Sequence, residues 1–447
     1  MKRTIVPVIS LLGMLSIPSI AHSAYEKPSL WSAKWTSLGG ASAAAASGSD
    51  ALVFNPAGLA KSSKSELGIN LAPTIAKFKG PNVSNNIQQE GESTFSPVGG
   101  LIYSRPLNEK ISLGAGFYVA GGNSAEFEGI NFESINSTFT KRGTNKTDLK
   151  LFEASLGLGY KVNNNLRLGA AWRIGKASAE LFSSSATAGA SGLAAHVQYT
   201  DLKDTNLAGF RLGAQYESDD STWGLGLHYR SQVTYRLEGK GGGSLQLGTN
   251  LTAANGGTST ANLQTPNVQA TSRLPMQLSL GSFKKFDKLT VHFQFDWTKY
   301  SVNEKIKFEG EAFKTSDGSA TLNNNLPDLK NTPVIQDNSD MYAYKLGLDY
   351  MCDNGWNWRL GYALSTQVTP DNSAKSTLAS PGNGHLLAIG AGKEINENWN
   401  IDFAIERAWR SGEVGNNLNP NSGNTTILQG EYESAGHTAH VTAKYLF

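Results

Sequence analysis

The 447-residue chain contains a single cysteine, Cys352. A lone thiol cannot close an internal disulfide, so no covalent staple holds the fold. Charge is also scarce. Asp, Glu, Lys and Arg make up 17% of the chain, and the formal net charge is +2. A nucleic-acid-binding face needs a concentration of basic residues, so no nucleic-acid partner is expected. The seven histidines are scattered without metal-ligand spacing. His292, Asp296 and His228 share one parity, but no serine motif accompanies them. Neither a metal, a cofactor nor an enzyme activity is expected. Beyond Ala24 no run approaches the ~20 apolar residues of a spanning helix, which excludes a helical membrane bundle.

What the chain does have is glycine and aromatics: 48 Gly, 15 Tyr and 9 Trp. This composition suits a turn-rich all-β protein. The first residues form a secretory leader. Lys2 and Arg3 supply positive charge, Ile5 to Ile20 an apolar stretch, and Ala21-His22-Ser23 a small-x-small cleavage site. Residues 1–23 are therefore expected to be a signal peptide, with the mature chain starting at Ala24.

From about Glu66 the chain repeats one unit of about ten residues, in which apolar residues alternate with small or polar ones. Leu225, Leu227 and Tyr229 alternate with Gly226, His228 and Arg230. Phe293, Phe295 and Trp297 alternate with Gln294 and Asp296, and Tyr344, Leu346 and Leu348 with Lys345 and Gly347. Aromatics sit at segment ends, where the girdles of a membrane barrel belong. A soluble sandwich also alternates, but its strands are nearer five or six residues. The connections alternate as well. Short turns at 106–110, 163–165, 218–221, 286–288, 352–355 and 395–398 interleave with long ones at 80–93, 121–147, 183–203, 241–271, 310–338, 367–383 and 411–433. Outer-membrane barrels have short periplasmic turns and long extracellular loops. The expected fold is all-β, a transmembrane antiparallel β-barrel of about 14 strands in the bacterial outer membrane, with both termini in the periplasm. Val441, Ala443, Tyr445 and the terminal Phe447 share one face of a last strand, in the manner of a barrel assembly signal.

Residues 24–64 do not alternate. A small-residue run ends at Asp50 and leads into Ala51-Leu-Val-Phe-Asn-Pro-Ala-Gly-Leu59, an apolar stretch with an Asn-Pro turn. Such a segment packs against something, and a fourteen-strand lumen is too wide for side chains alone to fill. The expected organisation is a signal peptide at 1–23, a lumen plug at 24–64 and a barrel at 65–447.

This segment resembles the N-terminal hatch of the FadL family, whose hallmark here is Asn55-Pro56-Ala57. The resemblance extends through Leu225–Gly239, Leu274-Pro275, Trp297–Phe308 and Asp353–Tyr362, and so spans essentially the mature chain. It departs from the family at Ser365–Asp371 and Ser380–His385. The resemblance implies a channel for long-chain fatty acids. The ligand is captured between extracellular loops, bound in the lumen above the hatch and released laterally through a kink in the third strand. Gly121-Gly122 match that kink, since glycine in a strand marks a bend or bulge. Lys176 falls at a family position that contacts the ligand head, although alternation from Trp172 and Ile174 points it outward. A second basic position is Ser339 here. By parity Arg173, Arg211, Arg230, Lys345 and Arg359 face the lumen, with Asp296, Asp349, Asp402 and Glu406 as available counter-charges. Arg173 and Lys345 thus join Lys176 as expected ligand contacts. Phe182 and Leu193 are expected in short amphipathic loop helices, with 241–271 completing a capture groove. Expected partners are a long-chain fatty acid or other hydrophobic small molecule and the outer-membrane lipids, around a monomer. A same-family channel for aromatic hydrocarbons or alkanes fits the same features, and a hydrophilic porin fits them less well.

Overall fold

The computed structural model describes residues 31–83, 86–316, 322, 334–377, 380–415 and 428–447. The expected signal peptide, the first residues of the expected plug (24–30) and parts of the loops expected at 80–93, 310–338, 367–383 and 411–433 lie outside the described residues.

Fourteen antiparallel spans close into one barrel. The first comprises Glu66–Leu71 and Thr74–Pro81, and the second ends in Gly99–Pro106. The third, fourth, fifth and sixth are Ile111–Ile130, Gly143–Lys161, Leu166–Ala186 and Leu193–Glu217. The seventh comprises Trp223–Arg230 and Val233–Leu247, the eighth Thr260–Leu274 and Gln277–Phe286. The ninth begins with Leu289–Thr298 and continues in Lys305–Gly310. Met341–Met351, Trp356–Ser365, Gly384–Glu394, Trp399–Val414 and Gly430–Leu446 complete the ring. The last span pairs with the first, Tyr445 opposite Leu67, so the sheet has no free edge. Prolines 73, 97 and 275, which lack a donor for the ladder, sit at breaks within spans.

The third to eighth spans overturn one expectation. Most of 121–147, 183–203 and 241–271 is strand, not loop, and Phe182 and Leu193 lie in strands rather than in short helices. Alternation continues there, but the burial inverts. Leu225 and Leu227 face outward, exposed to lipid, whereas Val233, Tyr235 and Leu237 further along the same span are buried inside. In the eighth span Leu280 faces out, while Val268, Ala270 and Leu274 face in. The breaks at Ser231-Gln232 and Pro275-Met276 turn each apolar row from outside to inside. Outward positions above the breaks, such as Arg236, Glu238 and Gln264, are polar. The outward face is thus apolar below the breaks and polar above them, the pattern of a barrel that leaves the hydrocarbon at the breaks.

The third span carries a bulge. Its register with the fourth shifts between Val119 and Gly121. Its ladder with the second span stops at Gly100 opposite Tyr118 and resumes only at a single bridge, Glu92 opposite Glu126. In between, the hydroxyl of Thr94 donates to the Ser124 carbonyl at 2.8 Å.

Candidate functional site

Residues 31–59 lie against the inner wall of the lower barrel. Two single helical turns, Ala33–Thr36 and Ala51–Phe54, and a 3-10 segment, Pro56–Lys61, are joined by turns. Trp31, Trp35, Leu38, Leu52, Val53 and Leu59 are buried against the inner wall. The wall makes room for them with glycine. A Cβ on Gly213 would lie 1.9 Å from the Asn55 Oδ1, one on Gly169 2.2 Å from the Pro56 carbonyl carbon, and one on Gly226 2.2 Å from the Ala43 oxygen. These inward glycines alternate with the lipid-facing residues of their strands, so the strand pattern and the seat of the segment are one feature.

Polar side chains then hold the segment's backbone. The Asn55 amide donates to the Ala43 carbonyl at 2.7 Å and to wall carbonyls of Ala214 (3.1 Å) and Leu227 (3.2 Å). Its oxygen accepts from the Ala57 N–H at 3.2 Å, capping the turn that Pro56 starts. Gln294 accepts from the Ser42 and Ala43 N–H groups at 2.9 and 2.8 Å, and Gln215 donates to the Ala43 and Ala46 carbonyls. Asp50 receives the Lys444 ammonium at 2.7 Å and the Trp31 indole N–H at 3.0 Å.

Arg173 and Lys345, the expected ligand contacts, do face the lumen. Each is tied to a carboxylate: Arg173 to Glu153 at 2.7 Å, and Lys345 to Asp296 at 2.6 Å. Glu153 also holds Arg211 and the Tyr118 hydroxyl, and Arg359 bridges Asp349 and Asp402. Asp296 in addition accepts from the Gln294 amide at 2.7 Å, so the Lys345 pair orients the very glutamine that grips residues 42–43. Lys176 is exposed on the outer face of the fifth span and is not brought together with Arg173 or Lys345. Leu193 is buried in the apolar lining, and Phe182 lines a cavity at the extracellular end. Gly121 and Gly122 lie at the bulge, inside a strand that runs on to Ile130.

Above residues 31–59 the inverted rows line the upper lumen, the chamber, with buried apolar side chains. Leu237, Leu245, Leu263, Val268, Ile306 and Phe308 belong to one buried cluster with Leu181 and Leu193. Tyr199 stacks on Phe308 with ring centroids 4.8 Å apart. Sequence reasoning missed this chamber and also the gripping roles of Gln215, Gln294 and Lys444. Proline at 275 was the available signal for the eighth-span inversion, and Ser231-Gln232 gave none. The packed lower lumen, the apolar lining above it and the broken ladder between the second and third spans are the features a molecule in the barrel would meet.

Residues 32–447 match the model of a family described as outer membrane protein transport protein (OMPP1/FadL/TodX). A Neisseria meningitidis serogroup B protein, provisionally named outer membrane protein NMB0088, is 23% identical over 439 residues, covering 90% of this chain and 89% of its own. Among solved structures, a Pseudomonas aeruginosa FadL homologue has a TM-score of 0.69 at 16% identity, covering 96% of this chain and 99% of that one. The P. putida toluene transporter TodX reaches 0.71 at 19% identity, with 94% and 99% covered. At these identities the solved structures establish the fold.

Proposed function

Because the chain belongs to the outer membrane protein transport family (OMPP1/FadL/TodX) and lies in the outer membrane, we propose that it takes up long-chain fatty acids. Hydrophobic transport is the family's coarse function. In this reading the fatty acid is captured at the extracellular end and sits in the apolar chamber above a hatch made by residues 24–64. It leaves sideways through the third-span bulge at Gly121-Gly122. The observation that carries the reading is the interrupted ladder between the second and third spans, beside a chamber whose floor is packed. Each methylene moved from water into an apolar lining gains ~0.8 kcal/mol, so an 18-carbon tail strongly favours the oily route. Lateral release delivers that tail to lipid without crossing water. Phe182 and Leu193 contribute to the capture end, and Arg173 and Lys345 to the lumen site, where they act through carboxylate pairs. Lys176, facing outward, meets the head only if the strand turns.

A second reading, uptake of monoaromatic hydrocarbons, is favoured by the full pairing of Arg173 and Lys345, which leaves neither free for a carboxylate. Uptake of radiolabelled oleate and of toluene into proteoliposomes separates the two. Fatty-acid transport predicts saturable oleate entry. Toluene entry without oleate entry would overturn it in favour of the second reading.

A further inference from the structure

Beside the chamber, at the extracellular end, lies a second cavity of about 270 Å³. The top of the first span, the fifth span and residues 374–377 contribute its walls. Its apolar side is made by Val83, Phe132, Phe182 and Tyr432. Most of its polar groups satisfy one another. Ser376 donates to the Pro81 carbonyl at 2.6 Å, Asn145 to Asn82 at 3.0 Å, and Tyr432 to the Leu428 carbonyl at 2.5 Å. Ser184 exchanges hydrogen bonds with the Thr144 backbone.

Lys375 stands apart. It lines the cavity and is partly buried, and among the described residues it has neither a carboxylate nor a hydrogen-bonding partner. Among the described residues no Asp or Glu lines the cavity. In the lumen below, Arg173, Arg211, Lys345, Arg359 and Lys444 are each matched by an acid. An inward cation without an anion, next to aromatic walls, is built to receive one from outside. The desolvation of Lys375 points the same way. Burial lowers its ammonium to about 8, and an arriving anion would restore the charge.

We propose that this cavity is a head-group site for a carboxylate-bearing amphiphile, with Lys375 as the residue that selects an anionic head over a neutral one. The inference rests on the fatty-acid reading and sharpens it. The cavity holds the head and its first methylenes, while the tail extends toward the chamber past Phe182. Charge-assisted hydrogen bonds are the strong ones, so loss of the ammonium is expected to matter most for the anion.

The test is binding of oleate and of oleyl alcohol to the purified full-length protein in a non-ionic detergent. Wild type is compared with Lys375→Met and Lys375→Arg, each checked for a folded barrel by heat-dependent gel mobility. Lys375→Met is expected to weaken oleate about tenfold and to leave oleyl alcohol within twofold. Lys375→Arg is expected to keep most oleate affinity. Equal oleate affinity in wild type and Lys375→Met would overturn the assignment while leaving fatty-acid uptake intact. Parallel loss of both ligands would also overturn it, as a packing effect. A wild type that binds neither lipid but admits toluene would remove the fatty-acid reading itself.

Discussion

Asn55 joins three parts of the fold through one amide. It bonds the plug to itself at Ala43 and to the wall at Ala214 and Leu227. Truncation to alanine removes these donations and leaves the Ala57 N–H without its cap in a buried site, a loss of about 1–3 kcal/mol. Asn55→Ala is therefore expected to loosen residues 31–64 without unfolding the barrel. Planar-bilayer recordings should show frequent open events where the wild type is quiet. Gly213→Ala, which drives a methyl into the Asn55 oxygen, should do the same. Asn55 was legible because an Asn-Pro turn in an apolar context has few other uses. Lys375 was not, because nothing local marks a lysine whose distinction is the absence of an acid from distant strands. A pH profile belongs to it. With the ammonium lowered to about 8, the cation is present below that pH and lost above it. The only other titratable group lining the cavity among the described residues is Tyr432. His196 lies behind Ser184, and Lys141 bonds Ser244 nearby. Oleate affinity should stay flat from about pH 6 to 8 and fall above it, and Lys375→Arg should abolish that fall.

At the scale of the element, the third span explains why a gap exists at all. Tyr118 and Asn123 both face the lumen, with the extra residue of the bulge between them, so the upper half of the strand is out of phase with the second span. Thr94, which shares the inner face with Ser96, stands at the register position of outward-facing Ser124. Side chains of one face cannot pair with those of the other, and the ladder lapses. Deleting Ala120 removes the extra residue. It would bring Ser96 opposite Asn123 and Thr94 opposite Ala125 with all four facing inward. The ladder should then close, and proteoliposome uptake of the transported ligand should fall at least tenfold with the barrel still folded. The two glycines at 121–122 hinted at this position. The phase error was beyond the sequence, because it exists only relative to a partner strand.

At the scale of the whole molecule, strand count, closure and the short turns could be read from alternation, since a period of two is the same whichever side is oily. That indifference is also why the sequence alone does not tell the upper barrel from loops. Leu227 and Val233 follow one alternating pattern, yet one meets lipid and the other the chamber. Only the medium outside tells them apart, and an arginine scan can read that medium. Leu225 is 51% exposed on the lipid side, well below the seventh-span break. Arginine there, facing hydrocarbon, is expected to cost about 2–4 kcal/mol. Gln264, outward on the eighth span above its break, should accept arginine at about 0–1 kcal/mol. Urea titration of folding into phospholipid vesicles measures both. Equal penalties would place lipid around the upper barrel as well, and the chamber would then lie within the membrane instead of above it.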